Sequence, residues 1–185
     1  MISGDDIDAM RTAGSLIAFT GPAGCGKSTA ADIMRSKGWT RVKFASTLKD
    51  MCRAMGMTDE MIEGDQKEEP QSMFGNQTPR YIMQTLGTEW GRRTIHSNLW
   101  VSITSAEIQR HLDSGQNVVV DDCRFENEAA CIRNLGGVVV GVTGLGGISG
   151  QHESESGVAP DHTIDNNGTL DDLERAVDFV AAQIL

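Results

Sequence analysis

Eight residues near the start of the chain have the types and the spacing that phosphate binding requires. The run from Gly21 to Ser28 reads G-P-A-G-C-G-K-S and matches the pattern G-x-x-x-x-G-K-[ST]. Glycines let the backbone curl until successive N–H groups point inward at phosphate oxygens, and a helix that begins behind them presents further N–H donors. An apolar run precedes the pattern and a helical pattern follows it. This context favours a phosphate loop over a glycine-rich turn that matches by chance.

The chemistry expected of this loop is the binding of a nucleoside triphosphate. Lys27 is expected to reach the β- and γ-phosphates, and the Ser28 hydroxyl is expected to hold Mg²⁺. The residues that we expect around the donor phosphates are Gly21, Ala23, Gly24, Cys25, Gly26, Lys27, Ser28 and Thr29.

A second set of charged residues follows the apolar run Val118–Val120. Asp121 and Asp122 occupy the position of the acidic residue that helps to hold Mg²⁺ in phosphate-loop enzymes. Neighbouring side chains on a strand point to opposite faces, so one carboxylate can face the metal while the other contacts substrate or turns away. The sequence does not choose between them, and a strand-end turn or a helix cap is the alternative. Arg124 can clamp a phosphate, or it can form a salt bridge with Asp122 or Glu128.

Residues 78–93 are the other concentration of functional residue types. On a helix, Arg80 and Gln84 lie on one face, where the arginine can bind phosphate and the amide can hydrogen-bond a base edge. Trp90 can stack on a base, although an aromatic residue at helical spacing is more often part of the core. Lys49, near the end of the second predicted strand, can bind the acceptor phosphate or lie on a solvated helix face.

Apolar runs that alternate with helical patterns position these residues. We predict strands over residues 16–20, 40–45, 116–122, 137–143 and 161–165. We predict helices over residues 27–36, 47–55, 78 to 90 or 92, 100–112, 126–135 and from 170 to the C-terminus, the last with a capping box at Thr169 and Asp172. Such alternation implies parallel strands with right-handed crossovers and with ligands at their carboxyl ends. The phosphate loop and the Asp121–Asp122 pair should therefore meet at one rim of the sheet.

Composition argues against several classes of protein. The 185 residues include 16 Lys and Arg against 26 Asp and Glu, a net charge of −10, which is unsuited to coating nucleic acid. No apolar run approaches the roughly 20 residues that span a bilayer, and the opening residues are too polar for a signal peptide, so we expect no membrane contact. Four cysteines without C-x-x-C spacing indicate reduced cytoplasmic thiols rather than disulfides or a zinc site.

Several separate motifs together resemble one family. They are Gly21–Thr29, Phe44-Ala45-x-x-Leu48-Lys49, Arg80-x-x-x-Gln84-x-x-Gly87-x-x-Trp90-Gly91-Arg92, Val120-Asp121-Asp122-x-Arg124-Phe125-x-x-Glu128, His152-x-Ser154-Glu155 and Asp165-Asn166-x-Gly168-Thr169. From residue 15 to residue 185, in this order, the chain resembles the deoxynucleoside monophosphate (dNMP) kinases of tailed bacteriophages. The motifs that contain Arg80 and Arg124 are the specific ones, since a phosphate loop alone occurs in very many proteins.

The resemblance implies a phosphate-loop nucleoside-monophosphate-kinase fold, with a parallel five-stranded sheet in the order 2-3-1-4-5 flanked by helices. It implies a single kinase domain over residues 1–185, with a lead-in at 1–14, a monophosphate-binding region at 56–95 and a lid-like loop at 144–160. It also implies Mg²⁺-dependent transfer of the ATP γ-phosphate to a dNMP, often by a homodimer, and for a phage protein this takes place in the host cytoplasm. A similar segment in dephospho-CoA kinase implies that Asn166 and Gly168 lie near the adenine of ATP.

The expected roles of the remaining residues follow from these patterns and from the resemblance. Catalysis is assigned to Lys27, Arg80, Arg92, Arg124 and Asp121, and metal binding to Ser28, Asp121 and Asp122. Binding of the dNMP is assigned to Lys49, Arg80, Gln84, Trp90, Arg92, Arg124 and Glu128. The alternatives are dephospho-CoA kinase or another small-molecule kinase, and an ATPase switch gated by nucleotide.

Overall fold

A parallel sheet carries the phosphate loop. The computed structural model describes residues 14–144 and 158–184. Its strands are β1 (Leu16–Thr20), β2 (Thr40–Val42), β3 (Val118–Val120), β4 (Val138–Thr143) and β5 (His162–Asp165). They form a five-stranded sheet in the order β2-β3-β1-β4-β5, and each neighbouring pair is parallel. This confirms the predicted fold. Strands β2 and β3 are shorter than predicted because the ladder between them ends at Val42 and Val120.

The helices of the described residues surround this sheet or follow β2. They are α1 (Lys27–Ser36), α2 (Ser46–Ala54), α3 (Asp59–Ile62), α4 (Pro79–Gln84), α5 (Leu99–Asp113), α6 (Glu126–Asn134) and α7 (Leu170–Ala182). A π-helix spans Thr85–Ile95, and 3₁₀ turns span Asp65–Glu68 and Ser72–Phe74. Across the two described ranges, no helix combines the length and the apolar character needed to cross a membrane.

Contacts divide the described residues into two compact units. Residues 14–43 and 104–184 form one, which we call the sheet unit, and residues 44–103 form the other, which we call the helical unit. The predicted lid-like loop at 144–160, with its motif His152-x-Ser154-Glu155, lies largely outside the described residues.

The core of the sheet unit is built from its strands. All five residues of β1 and all three valines of β3 are buried. Continuous apolar runs of this kind suit parallel strands that are covered on both faces. Met34 from α1 and Leu173 and Val177 from α7 join the same core. These two helices thereby cover the face of the sheet that carries Ile17 and Phe19, and the carboxyl ends of the strands are left to carry the polar residues.

Helix α7 begins at the predicted capping box. The Asp172 N–H donates to Thr169 Oγ1 over 3.2 Å, and the Thr169 N–H donates to Asp172 Oδ2 over 2.9 Å. The hydrogen bonds from Thr169, with Arg175 beside them, lower the pKa of Asp172 to about 2. The capping prediction is confirmed.

In the helical unit, the helix predicted from Thr78 begins as expected and then changes type. Thr78 caps α4 by accepting a hydrogen bond from the Tyr81 N–H, with Pro79 at the first helical position. A single α-helix was predicted as far as residue 90 or 92, but the chain becomes π-helical at Thr85. The prediction was wrong here because periodicity does not distinguish an α-helix from this wider turn.

Trp100 packs against the π-helix and explains the glycine at position 91. Its Nε1–H donates to the Gly87 carbonyl over 2.8 Å, and its indole lies flat on Gly91. A Cβ atom at Gly91 would come within 2.6 Å of the indole. Packing therefore accounts for glycine at this position without any ligand.

No helix or strand was predicted over residues 56–77, whereas the structure has short helices there. The segment contains α3 and both 3₁₀ turns, and it buries Met57 and Ile62 against Cys52. Its acidic residues are largely exposed. The apolar residues of this segment follow no helical or strand period, so the small core they form could not be predicted from periodicity.

Gly91→Ala tests the packing of the π-helix through the sign of the change in the free energy of unfolding. Helix propensity alone predicts that alanine stabilises by up to about 1 kcal/mol. We expect the opposite, a loss of about 1–3 kcal/mol in the free energy of unfolding, because the added methyl displaces Trp100. Urea denaturation measures the change, with Ser102→Ala on the exposed face of α5 as the control. A stabilised Gly91→Ala variant would contradict the packing described here.

Candidate active site

The phosphate loop joins the end of β1 to the start of α1, and two of its glycines admit no side chain. Gly21 has φ of 134° and Gly26 has φ of 105°, both in the region that favours glycine. A Cβ atom at Gly21 would lie 2.3 Å from the Val142 carbonyl oxygen, and one at Gly26 would lie 2.3 Å from Asn166 Nδ2. The loop is therefore fixed by its fit against neighbouring backbone and side chains.

The first turn of α1 is open to an anion. Its N-cap is Gly26, which has no side chain to satisfy the first N–H groups, and no acidic residue lies in the first turn. A cavity of about 210 Å³ is lined by Gly24, Gly26, Lys27, Ser28 and Thr29. These unpaired N–H groups and the positive end of the helix dipole favour phosphate at this point.

Lys27 lies over the loop that precedes it. Its Nζ donates to the carbonyl of Gly21 over 2.8 Å and to that of Pro22 over 2.5 Å. Burial lowers the pKa of Lys27, and the nearby charge of Arg124 lowers it further, while Cys25 acts in the opposite direction. Two cations, Lys27 and Arg124, are thus close enough to influence each other beside the loop.

Asp121 meets the loop at the rim of the sheet, as predicted. Ser28 Oγ donates to Asp121 Oδ2 over 3.0 Å, and the same oxygen accepts a hydrogen bond from Arg41 Nη2. Lys43 Nζ lies 3.9 Å from it. Burial alone would raise the pKa of Asp121, but the Arg41 hydrogen bond and the Lys43 charge outweigh it, so the pKa lies below its ordinary value. Asp121 is therefore an ionised carboxylate, although only 4% of its surface is exposed.

The donor atoms beside the loop fit a magnesium ion. Asp121 Oδ1 is buried and has no hydrogen-bond partner among the described residues, while Ser28 supplies a hydroxyl oxygen next to it. Mg²⁺ prefers oxygen ligands and keeps several waters, with one or two carboxylates and substrate phosphates. Within residues 14–144 and 158–184 there is no cluster of three His, Cys, Asp or Glu side chains that could hold a metal. A site of this composition suits a metal that is shared with a bound nucleotide.

The turn that carries Arg124 is held by Glu128. The backbone N–H groups of Arg124 and Phe125 donate to Glu128 Oε2 over 2.7 and 3.1 Å, and Glu128 is buried. Glu128 was expected to bind substrate, whereas these contacts make it a support for the turn. Arg124 itself is exposed.

Asn166 also supports the loop. Its Nδ2 donates to the Cys25 carbonyl over 3.0 Å, and its N–H donates to the Thr143 carbonyl over 2.8 Å. Only 5% of Asn166 is exposed, whereas Gly168 is exposed. The structure thus places the side chain of Asn166 against the loop backbone at Cys25.

In the helical unit, two cations expected to bind substrate are paired with acidic residues of the segment 56–77. Lys49 Nζ lies 2.6 Å from Glu63 Oε1, and Arg80 forms an ion pair with Glu68.

Three further residues of the helical unit were expected to bind substrate. Gln84 is half-buried, and Arg92 Nη1 lies 3.5 Å from the Ser97 carbonyl oxygen. Trp90 has 39% of its surface exposed, and its ring centroid lies 6.4 Å from that of Trp100. The exposed part of Trp90 leaves room for a stacked base.

Sequence reasoning missed Arg41 and Lys43. They flank the buried residue Val42, so the period of a strand places both on the other side from its side chain. This alternation was visible in the sequence, and the resemblance implied that β2 lies beside β3. Neither indicated that the two side chains reach Asp121 at the end of β3.

Comparison with known proteins identifies the family. Residues 67–177 match the family model described as deoxynucleotide monophosphate kinase. A protein of Acanthamoeba polyphaga mimivirus that carries the name of this family is 31% identical over 176 residues, which cover 85% of the chain and 91% of that protein. The deoxynucleoside-5'-monophosphate kinase of Escherichia phage T5 is 32% identical over 89 residues, which cover 44% of the chain and 35% of the phage protein.

A solved structure agrees with the sequence relatives at the level of fold. The APS kinase of Mycobacterium tuberculosis, determined in complex with AMPPNP and APS, matches with a TM-score of 0.51 and 15% identity, covering 92% of this chain and 98% of that one. The family model spans more than half of the chain, and the mimivirus relative is matched over most of its length. The chain therefore belongs to the deoxynucleotide monophosphate kinase family.

Proposed function

We propose that this kinase binds the phosphates of ATP at Gly21–Thr29 and transfers the γ-phosphate to a deoxynucleoside monophosphate. The observation that carries the proposal is the 3.0 Å contact between Ser28 Oγ and Asp121 Oδ2. It brings a hydroxyl and an ionised carboxylate to the place where the loop offers its N–H groups to phosphate. Membership of the family implies a nucleotide substrate, and ATP as the donor is part of the proposal.

The sheet unit supplies the donor half of this function. The loop N–H groups and Lys27 bind the β- and γ-phosphates. When Mg²⁺ is bound, it neutralises charge on these phosphates. Ser28 and Asp121 would hold it, and Asp122 is the second carboxylate assigned to the same role. Arg124 adds positive charge beside Lys27, which offsets the repulsion between two anionic substrates.

The helical unit supplies residues for the acceptor. Lys49, Arg80 and Arg92 bind the phosphate of the dNMP, Gln84 hydrogen-bonds the base and Trp90 stacks on it. The acceptor phosphate is already ionised, so no strong general base is needed, and catalysis is positioning and charge neutralisation along an in-line path. The exposed surface of Trp90 and the accessible pairs of Lys49 and Arg80 support this assignment.

The proposal also includes a homodimer in the host cytoplasm, which the resemblance implies. The net charge of −10 supports a small anionic substrate rather than nucleic acid as the partner. Sedimentation equilibrium of the purified chain measures the oligomeric state.

An acceptor screen tests the proposed reaction. The chain is incubated with ATP, Mg²⁺ and each of the four dNMPs, and in parallel with dephospho-CoA, with nucleosides and with DNA. We expect ADP and a dNDP from at least one dNMP. Turnover of none of the dNMPs would overturn the proposal, whether or not another acceptor is used.

Lys27→Ala tests the role of the loop. Removing one charge that stabilises the transferred phosphoryl group is expected to lower kcat by about 10²–10³-fold. Because Lys27 Nζ contacts the carbonyls of Gly21 and Pro22 and the Cys25 thiol, all within the loop itself, the thermal unfolding midpoint should stay close to that of the parent chain. Lys37→Ala removes a lysine that pairs with Glu174 and Asp178 on the surface, so it is the matched control and should keep its activity. An active Lys27→Ala variant would exclude the loop from the mechanism.

Glu68→Gln tests whether Arg80 binds the acceptor phosphate. Phosphate must displace Glu68 from Arg80, and exposed pairs of this kind contribute about 0.2–1 kcal/mol. We therefore expect the KM for the dNMP to fall by about two- to five-fold, with little change in the KM for ATP. Asp59→Asn breaks the exposed pair with Arg53 in the same unit and is the control. A higher KM for the dNMP in Glu68→Gln would show instead that Glu68 holds Arg80 in its binding position.

A further inference from the structure

Arg41 links two carboxylates that belong to different elements of the sheet unit. Its Nη1 donates to Asp32 Oδ1 over 2.8 Å, and its Nη2 donates to Asp121 Oδ2. Asp32 lies one helical turn after Ser28 on α1, so the two share a face of that helix. Arg41 therefore ties the helix that begins with the phosphate loop to the carboxylate that follows β3.

This arrangement is poorly explained as a device for stability alone. The Arg41 side chain is 14% exposed and that of Asp121 is 3% exposed, and Arg41 Nε is buried with no partner among the described residues. Buried ion pairs are often no more stabilising than apolar residues of similar volume, because both charges must leave water. An unpaired N–H group adds to that cost. The pair is therefore better explained by the orientation it imposes.

The geometry of the guanidinium defines that orientation. Two N–H groups in a rigid plane fix the direction of each carboxylate they bind, whereas an ammonium group acts as a point charge. Lys43, 3.9 Å from Asp121 Oδ2, adds charge without such direction. Because Arg41 and Ser28 hold Oδ2, the Asp121 carboxylate cannot rotate freely. Its other oxygen, Oδ1, has no hydrogen-bond partner among the described residues.

We propose that Arg41 is a positioning residue that orients Asp121, so that Oδ1 faces the site of the metal–nucleotide complex beside Ser28. This inference rests on the proposed function, because it assigns Asp121 to the magnesium site. Arg41 contacts neither substrate nor metal and acts through Asp121.

The test compares Arg41→Met, Arg41→Lys and Asp32→Asn with Arg35→Met, a control in which the exposed partner of Asp32 is replaced. Calorimetry measures the binding of ADP with and without Mg²⁺, independently of turnover. Loss of a residue that orients a metal ligand typically costs about 10–100-fold in metal affinity, and we expect this loss of Mg²⁺-dependent binding in Arg41→Met. Metal-free ADP binding should be unchanged, because the loop and Lys27 are intact.

The other variants separate orientation from charge and from folding. Arg41→Lys keeps the charge without the planar bridge, so it should recover part of the Mg²⁺ effect. Asp32→Asn should weaken Mg²⁺-dependent ADP binding as Arg41→Met does, but by less. Arg35→Met should leave Mg²⁺-dependent ADP binding unchanged. In steady state, Arg41→Met should lower kcat and raise the Mg²⁺ concentration for half-maximal activity, with the KM for the dNMP unchanged.

Two results would overturn the inference. The first is Mg²⁺-dependent ADP binding by Arg41→Met that equals that of the parent chain. The second is an equal loss of metal-free and Mg²⁺-dependent binding, which indicates a general structural role. If Arg41→Met does not fold, Mg²⁺-dependent ADP binding by Arg41→Lys and by Asp32→Asn tests the inference instead. Failure of the parent chain to phosphorylate any dNMP would overturn the proposed function alone, because calorimetry does not depend on the acceptor.

Discussion

A buried, ionised carboxylate at the end of β3 is the constraint on which the site of the sheet unit depends. Removing a carboxylate from water costs several kcal/mol unless partners compensate it. Arg41 and Lys43 supply charge, and Ser28 supplies a hydrogen bond, so that the pKa of Asp121 is below its ordinary value despite burial. Each partner requires an element in one place: β2 beside β3 for the two cations, and α1 at the end of β1 for Ser28. The sheet order β2-β3-β1 satisfies these requirements together.

The phosphate loop is constrained from its other side. Gly21 lies against the backbone of β4 at Val142, and Gly26 lies against Asn166, which follows β5. The Asn166 amide holds the Cys25 carbonyl, so the shape of the loop depends on a residue far along the chain. Binding of phosphate to backbone N–H groups requires those groups to be aimed in advance, since reorganisation would consume binding free energy. A network that spans β1, β4 and the segment after β5 provides that preorganisation.

Local signals were enough to predict much of this architecture. The loop pattern, the apolar run of β1 and the capping box at Thr169 each lie within a few residues, and their structures agree with the prediction. The meeting of Ser28 with Asp121 followed from a general rule, that the carboxyl ends of parallel strands share a rim.

Features that depend on contacts between distant residues were not predicted. The π-helix at Thr85–Ile95 has Trp100 packed on Gly91 and hydrogen-bonded to the Gly87 carbonyl, and the core around Ile62 has no periodic pattern. The role of Arg41 requires both the sheet order and the position of Asp32. The hydrogen bonds that Glu128 accepts from the backbone of Arg124 and Phe125 were not predicted either, and its assignment to substrate binding stays a prediction.

The exposed ion pairs of the helical unit and the buried Arg41–Asp121 pair differ in how readily their cations can exchange one anion for another. A chain with a net charge of −10 can bind an anionic substrate only where its few cations are gathered. In the helical unit, both side chains of the Arg80–Glu68 pair are exposed, by 43% and 63%. Lys49 is 18% exposed, but its partner Glu63 is 44% exposed. Exposed pairs contribute little free energy, so a phosphate dianion can replace the carboxylate at small cost.

The Arg41–Asp121 pair behaves in the opposite way. Breaking it would leave a buried charge without its partner, which costs about 3–5 kcal/mol, so the pair persists when substrate binds. Burial thus separates cations that can exchange one anion for another from a cation that holds its carboxylate in a fixed orientation. In the proposed function, the same ionic chemistry therefore binds substrate where the pair is exposed and orients a metal ligand where the pair is buried.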